Sequence, residues 1–409
     1  MALLEFDNFS FHSQGDAIMV LYGKRYSFFL SLKDLKNIDE SVIINERSLE
    51  FPSISEKKAT NKVYRLIDKG LSELTHVING KPVRFIDESS GVPLLGSGEF
   101  GIVDRDTNIL ELKPLTGCNL DCIYCSVDEG ENDKRYDILI DPYYLASEAL
   151  AIAEDKNHLV EYNIGPHGEP LLYPFLETLL EELSSSSKTG VISVNTNGTL
   201  LTRERIDALK QAGLTRINLS LNTLDGEVCS RISGKFYPLE HVLEMIDYCR
   251  DIGMPVLLAP LVIPTITDNP RRDIEPLIKL AKTIDSSYPA IGFQNYLIHK
   301  YGRKPVKKQY GFDEFFELLK PFEKKYDITL TPKQDYNPFG IFEDGTVDKP
   351  FSKNQVVLAE ALFPGRHKNE ILCKAGNRVI TVRDAARSSG TFKVKIVRNK
   401  NNIFLGVPA

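Results

Sequence analysis

Half of the six cysteines in this 409-residue chain fall within one short run, LTGCNLDCIYC, as Cys118, Cys122 and Cys125. Their spacing is C-x3-C-x2-C. A structural zinc site wants four ligands, usually as two separated pairs. No second pair exists here: Cys229, Cys249 and Cys373 stand apart and read as small buried hydrophobes. Three thiolates from one loop instead suit a cubane [4Fe-4S] cluster, three irons held by protein and the fourth open to a ligand. Chance clustering and a zinc ion are the competing readings.

Such a loop needs a scaffold that presents it at one end of a sheet. From about Asn108, short apolar runs alternate with amphipathic ones, the pattern of a parallel sheet with helices outside it. The strand candidates are NILELKPL, LVEYNIG, GVISVNTN, TRINLSLN, PVLLAPLVIP and AIGFQNYLI. Gly213 and Gly253 fall where glycines would end two intervening helices. Six β–α units are two short of a closed eightfold barrel, so an open barrel with its site at the C-terminal strand ends is expected. The cysteine run directly follows the first of these strands. The third strand ends in NTNG (195–198) and the fourth reads NLSLN (218–222); polar side chains alternating within otherwise apolar strands turn toward a lumen that holds a polar ligand. A turn at Asn–Gly and simple helix capping are the plainer reading for part of that set.

The run CNLDCIYC, with Tyr124 just before the last cysteine, resembles the signature of the radical S-adenosylmethionine (SAM) superfamily, over roughly residues 108–300. In that superfamily the amino and carboxylate groups of SAM chelate the fourth iron. Reductive cleavage then yields methionine and a 5′-deoxyadenosyl radical that abstracts hydrogen from the substrate. The resemblance also implies an electron donor of ferredoxin or flavodoxin type. GPHGEP (165–170) is similar to the family's GGEP motif, matching at Gly168, Glu169 and Pro170 and departing from its commonest form at His167. Glycine lets backbone approach a ligand closely, and Glu169 or neighbouring carbonyls would hold the ammonium of methionine. The resemblance further implies Thr196 and Asn197 beside the cosubstrate, and Ser220 and Asn222 near its ribose or carboxylate. Arg231 would pair with the methionine carboxylate, a solvated surface arginine being the alternative. Val262 or Ile263 would meet the adenine.

On the sixth strand Gln294 and Tyr296 alternate with apolar neighbours, and HKYGRKPVKK (299–308) follows. His299, Lys300 and Arg303 would stand at the catalytic rim, able to hold a phosphate or carboxylate of the substrate; a solvated loop is the plainer reading. Tyr162, Tyr296 and Cys373 are candidates to return a hydrogen atom to a substrate radical. The net charge of −6 conceals an uneven distribution. Residues 364–409 carry about +8 and the remainder about −14, so a polyanion would meet the C-terminal end. That tail resembles TRAM-type OB barrels, which some radical SAM enzymes use to grip transfer RNA. Lys393, Lys395 and Arg398 supply charge there, and Phe404 either stacks or fills the core.

The first residues show no basic flank leading into an apolar run, and no stretch of about 18 apolar residues exists, so a cytoplasmic chain is expected. The core also resembles the cyclase of molybdopterin synthesis, but that enzyme's additional C-terminal cysteine cluster is absent, as is a D-x-H-x-x-G cobalamin motif. The expected fold is α/β: a mostly β N-terminal region (1–107), a partial (β/α)6 radical SAM barrel (108–331), a linker (332–363) and a small basic C-terminal β-barrel, OB/TRAM-like (364–409). The expected function is radical chemistry with a [4Fe-4S] cluster and SAM, on RNA such as transfer RNA. The alternative substrate is a small phosphorylated or carboxylated metabolite, and a non-catalytic iron–sulfur or RNA-binding protein is the reading from another class.

Overall fold

The computed structural model describes residues 1–127, 135–284, 288–300, 302–332, 337–345, 347–385 and 389–409. The chain divides into two compact units, residues 1–90 with 135–141, and residues 91–134 with 142–409. In the first, a four-stranded antiparallel sheet (Phe9–Gln14, Ala17–Tyr22, Tyr26–Ser31, Thr75–His76) accompanies a three-stranded one (Ala2–Glu5, Ser48–Phe51, Ile43–Ile44). A helix runs Glu56–Leu71 and buries Ala59, Val63, Ile67 and Gly70, the i, i+4 stripe of an amphipathic helix. A Cβ on Gly70 would lie 2.1 Å from the Phe28 ring, so glycine lets helix and sheet meet. Val83–Ile86 pairs in parallel with Asp137–Ile140, a strand returning from later in the chain.

The second unit holds the expected parallel series. Ile109–Lys113, Val160–Ile164, Thr189–Thr196, Arg216–Leu219 and Val256–Leu258 are neighbours in that order. Leu261–Val262 then pairs in parallel with Gln294–Asn295, and a bridge from Leu258 to Ile291 joins the two sheets. One strand was not anticipated: Gly101–Asp104 adds an antiparallel edge to Ile109–Lys113. Helices cover the outer face, and outward residues such as Val160, Tyr162 and Ile164 are fully buried. Gly213 and Gly253 follow the helices Arg203–Gln211 and Leu239–Asp251 with φ of 108° and 66°, left-handed backbone that ends a helix.

After the helix Phe312–Tyr326, the alternating run ITLTP (328–332) reads as a strand but forms none. The Glu323 carboxylate instead accepts from the amides of Leu330 (2.7 Å) and Thr331 (2.9 Å), so these groups are satisfied without a neighbouring strand. The linker that follows is ordered where it is described. Asn108 accepts from the amide of Phe342 (2.8 Å) and donates to the carbonyl of Gly340 (3.0 Å), while Asp344 accepts from the amides of Asn157 and His158. Residues 337–345 are thereby fastened beside the N-terminal ends of the first two core strands. Residues 333–336 and 346 of the linker lie outside the described residues.

The C-terminal segment is a closed five-stranded barrel in the order Val356–Pro364, Glu370–Ala375, Arg378–Arg383, Leu405–Pro408, Thr391–Arg398. Arg378–Arg383 and Leu405–Pro408 run parallel. The first strand starts at Val356, in residues that the sequence reading gives to the linker, because turn-rich sequence precedes it. Phe404 is buried against Phe351 and the strand cores, so it fills the barrel and stacks on nothing outside it. The second and third strands bury successive residues, Ile371, Leu372 and Cys373, then Val379, Ile380, Thr381 and Val382. A strand with one wet face cannot do that. The outer side is covered by the Gly91–Gly98 segment: Val379 and Phe404 donate backbone hydrogen bonds to Leu95 and Gly96, and a Cβ on Gly96 would stand 2.1 Å from the Val379 carbonyl. Among the described residues no helix is long and apolar enough to cross a membrane.

Candidate active site

A cavity of about 860 Å³ runs through the lumen of the partial barrel. Cys118, Cys122, Tyr124 and Cys125 line one end, and Arg105, Ile109, Phe339 and Ile341 line the other.

The cysteine loop leaves the Ile109–Lys113 strand and is fastened on three sides. Asp121 and Ile123 donate backbone hydrogen bonds to Ser233 and Ile232 (both 2.9 Å), at the end of the helix Gly226–Ser233. Gly234, at φ 70°, makes this approach feasible, since a Cβ there would meet the Asp121 carbonyl at 2.2 Å. Arg303 closes the second side: its amide donates to the Cys125 carbonyl (2.8 Å), and Nη1 donates to the carbonyls of Asp121 (2.7 Å) and Cys122 (3.0 Å). The third side is the 165–170 loop, where Glu169 donates its amide to Gly117 (2.8 Å). Gly168, at φ 65°, lies so close that a Cβ would meet the Gly117 carbonyl at 2.5 Å.

The three thiols are half-buried and free of disulfides. Burial pushes the Cys118 thiol well up, with the neighbouring Glu169 charge adding to it, and pushes Cys122 up to about 11. Such thiols become thiolates only beside strong positive charge, which suits metal ligands and not an activated nucleophile. Among the described residues the thiols do not gather within 4.8 Å of one another, as a single ion would require; only Glu99, His367 and Glu370 do. A multi-iron cluster fits this donor set and a lone zinc ion does not.

Beside the thiols, Glu169 is almost fully buried. Oε1 accepts from Thr196 Oγ1 (2.7 Å) and the Leu171 amide (3.0 Å), and Oε2 from the Asn197 amide (2.9 Å). Burial pushes its carboxyl up while those three donors pull against it. Asn222 donates to the Tyr124 hydroxyl (2.8 Å) and accepts from the Leu261 amide (2.8 Å), so it joins the cysteine loop to the strand Leu261–Val262. Gly168, Glu169, Thr196, Asn197, Ser220 and Asn222 all line the cavity. Pro170 does not; it packs behind, against Gly165.

Other expected contacts lie elsewhere. Arg231 is exposed on its helix, outside the cavity lining. Val262 is buried away from the lumen, and Leu257, Ala259 and Leu261 form the apolar wall. Gln294, Tyr296 and His299 reach the cavity, whereas Lys300 is exposed outside its lining. The Arg303 guanidinium is committed to the cysteine loop. Lys393, Lys395 and Arg398 are exposed on the C-terminal barrel, outside the cavity lining. Tyr162 lies under the helices and Cys373 inside the C-terminal barrel, so neither meets the lumen; Tyr296 does, its hydroxyl donating to the Arg303 carbonyl (2.9 Å).

Sequence reasoning missed a closed circuit of side chains lower in the lumen. Ser193 Oγ donates to Glu161 (2.8 Å) and accepts from Asn163 (2.9 Å); Asn195 donates to Asn163 (2.6 Å); Asn218 donates to Asn195 (3.0 Å); Arg216 Nε donates to Asn218 (2.9 Å). Arg216 Nη2 returns to Glu161 and closes the ring. The signal was present as polar residues at alternate positions of VEYN, ISVN and TRIN.

The Radical SAM superfamily model matches residues 112–280. The chain is similar to an uncharacterised protein of Methanocaldococcus jannaschii, 31% identical across 93% of this chain and 98% of that one. It is also similar to a GTP 3′,8-cyclase of Aquifex aeolicus, 26% identical across 61% of this chain and 78% of the cyclase. Among solved structures, Streptococcus suis SuiB bound to S-adenosylmethionine aligns with a TM-score of 0.44 at 14% identity, covering 80% of this chain and 71% of that one. With the motif region matched and the M. jannaschii relative aligned almost end to end, the chain belongs to the radical SAM superfamily, enzymes that work with a [4Fe-4S] cluster and S-adenosylmethionine.

Proposed function

We propose that this radical SAM enzyme acts on a small polar metabolite, phosphorylated or carboxylated, taken whole into the barrel lumen. The observation that carries the reading is the continuous cavity of about 860 Å³ from the cysteine loop to the base, polar along its inward strand residues. Pockets of this size suit a cosubstrate with a small substrate beside it. The likeness to GTP 3′,8-cyclases, named for a nucleotide, supports the same substrate class.

Cys118, Cys122 and Cys125 would hold the cluster, and the Glu169 loop with Asn197, Ser220 and Asn222 would line the cosubstrate. When bound, cluster and SAM supply a 5′-deoxyadenosyl radical able to abstract hydrogen. Leu257, Ala259 and Leu261 would exclude water from that region, and the hydrogen bonds around Glu169 and Asn222 would keep the polar walls in place. A low-potential donor of ferredoxin or flavodoxin type would supply the electron.

One observation favours a transfer-RNA substrate: Lys393, Lys395 and Arg398 stand exposed together on one barrel strand. Against it, OB barrels read oligonucleotides on the face of their second and third strands, and here both strands are buried on both sides. The deciding experiment measures 5′-deoxyadenosine from the reduced, reconstituted protein, with fractionated metabolites or with transfer RNA added. Stimulation by a small-molecule fraction alone is expected. Stimulation by transfer RNA alone would overturn the metabolite reading, and no 5′-deoxyadenosine under any condition would overturn catalysis itself.

A further inference from the structure

Arg216 opens the strand Arg216–Leu219 and is only 3% exposed. Its Nε is held by Asn218 and its Nη2 by Glu161, itself 5% exposed. Nη1 is buried, and it has no hydrogen-bond partner among the described residues. A buried guanidinium N–H left without an acceptor is costly, yet the surroundings hold the side chain in place. Its guanidinium carbon lies 4.8 Å from the Tyr288 ring centroid and 5.3 Å from that of Phe339, and the two rings are nearly parallel, at 7°. The aromatic faces fix the plane of the fork and keep water from it. Arg216 nevertheless lines the central cavity. The group is therefore oriented and dehydrated in the wall of a cavity that a ligand can enter.

Charge and position narrow the ligand. Along the inward faces of the first, second and fourth strands stand Glu111, Glu161 and Arg216, and Arg105 joins them just before the first strand. Arg105 and Arg216 there each have a carboxylate partner, Glu111 and Glu161, so the fixed charges balance. The unmet need is an acceptor for Nη1, for which an oxyanion is the strongest partner of a guanidinium. Arg216 opens its strand and Asn222 lies past that strand's C-terminal end, six positions on. Asn222 contacts the cysteine loop through Tyr124, so Arg216 lies at the far end of the lumen from the thiols.

We propose that Arg216 anchors the substrate by donating Nη1 to an oxygen of a carboxylate or phosphoryl group, holding the opposite end toward the cysteine loop. This rests on the metabolite reading above and gives that metabolite an orientation. The Glu161–Ser193–Asn163–Asn195–Asn218 circuit positions the guanidinium and does not itself touch the ligand's oxyanion.

The test uses reconstituted holoprotein saturated with SAM, without reductant, so that binding is read with no turnover. The probes are inorganic phosphate, followed by phosphorus NMR line broadening, and acetate, followed by saturation transfer. Wild type is expected to bind at least one; phosphate alone identifies a phosphoryl group, acetate alone a carboxylate. Arg216→Gln should weaken binding about tenfold or more, the scale of one charge-assisted hydrogen bond. Glu161→Gln should tighten it, because the guanidinium loses its internal counter-charge. A purely structural ion pair would not give shifts of opposite sign. Should Arg216→Gln fail to fold, Glu161→Gln decides alone. The proposal is overturned if wild type binds neither probe, if folded Arg216→Gln binds as wild type does, or if Glu161→Gln binds no more tightly. Such a failure leaves SAM chemistry untouched, since 5′-deoxyadenosine formation is measured separately.

Discussion

Arg303 and Asp121, 182 residues apart in sequence, are joined at the cysteine loop: Arg303 Nη2 lies 2.5 Å from the Asp121 carboxylate while Nη1 reaches two carbonyls of the same loop. A planar guanidinium can satisfy that geometry, and a lysine ammonium cannot match all three acceptors at once. Because the loop between Cys118 and Cys125 has little regular structure of its own, its shape depends on these external donors. Arg303→Ala should therefore lose on the order of 2–4 kcal/mol of local stability. Measured as iron per chain and the rate of cluster loss to a chelator, the variant should hold less iron and lose it faster, with Arg303→Lys between the two. Wild-type retention in Arg303→Ala would show that the clamp does not matter to the cluster.

The parallel core was legible in sequence because its signal is local. Apolar runs of strand length, separated by amphipathic helices that end at Gly213 and Gly253, announce a β–α series without knowledge of any partner. The cysteine loop was legible for the same reason: three like residues in one short run leave little freedom. What escaped lies between distant segments. Nothing near Arg303 in sequence says that it grips Asp121, so a basic rim run reads as a substrate surface. The first strand of the C-terminal barrel hid behind turn-rich sequence, and ITLTP reads as a strand by its alternation although its amides bond a Glu323 carboxylate that no propensity scale anticipates. The polar circuit was half visible; alternation shows which residues face the lumen, but not that they close a ring.

Glu169 accepts three hydrogen bonds inside a nearly dry site, two at Oε1 and one at Oε2. An amide at this position must turn its nitrogen toward at least one donor, so Glu169→Gln loses a hydrogen bond and sets two donors against each other. The expected loss is about 1.5–3 kcal/mol in chemical denaturation. Thr196 and Asn197 should shift with it, weakening equilibrium binding of SAM about tenfold. Unchanged affinity alongside the stability loss would confine Glu169 to a structural role.

The C-terminal barrel is packed as a part of its unit. Its third strand donates to Leu95, Lys374 donates to the Gly91 carbonyl (2.9 Å), and Arg378 donates to that of Asp348 (2.7 Å). Truncation before Val356 would uncover the Val92–Phe100 segment, most of which is buried, and strand-pairing groups with it. The shortened chain should aggregate, or elute as an expanded species in size-exclusion chromatography, instead of leaving an intact catalytic core. A soluble, compact truncation that still assembles its cluster would mark the barrel as a detachable module.

Asp344 fastens the base segment, its carboxylate accepting from the amides of Asn157 (2.8 Å), His158 (3.0 Å) and Gly345 (2.6 Å). Burial works to raise its carboxyl, but the amide donors and the His158 ring outweigh that and hold it below the ordinary 3.8. A carboxyl depressed in the folded state contributes stability above its unfolded value, and loses that contribution as pH falls through the folded one. The stability gap between wild type and Asp344→Asn, about 1–2 kcal/mol at neutral pH, should therefore persist down to about pH 4 and close as pH falls further. Urea denaturation of both proteins across that range measures it. A gap that stays constant into strong acid would mean that the carboxylate charge contributes nothing to holding residues 337–345 in place.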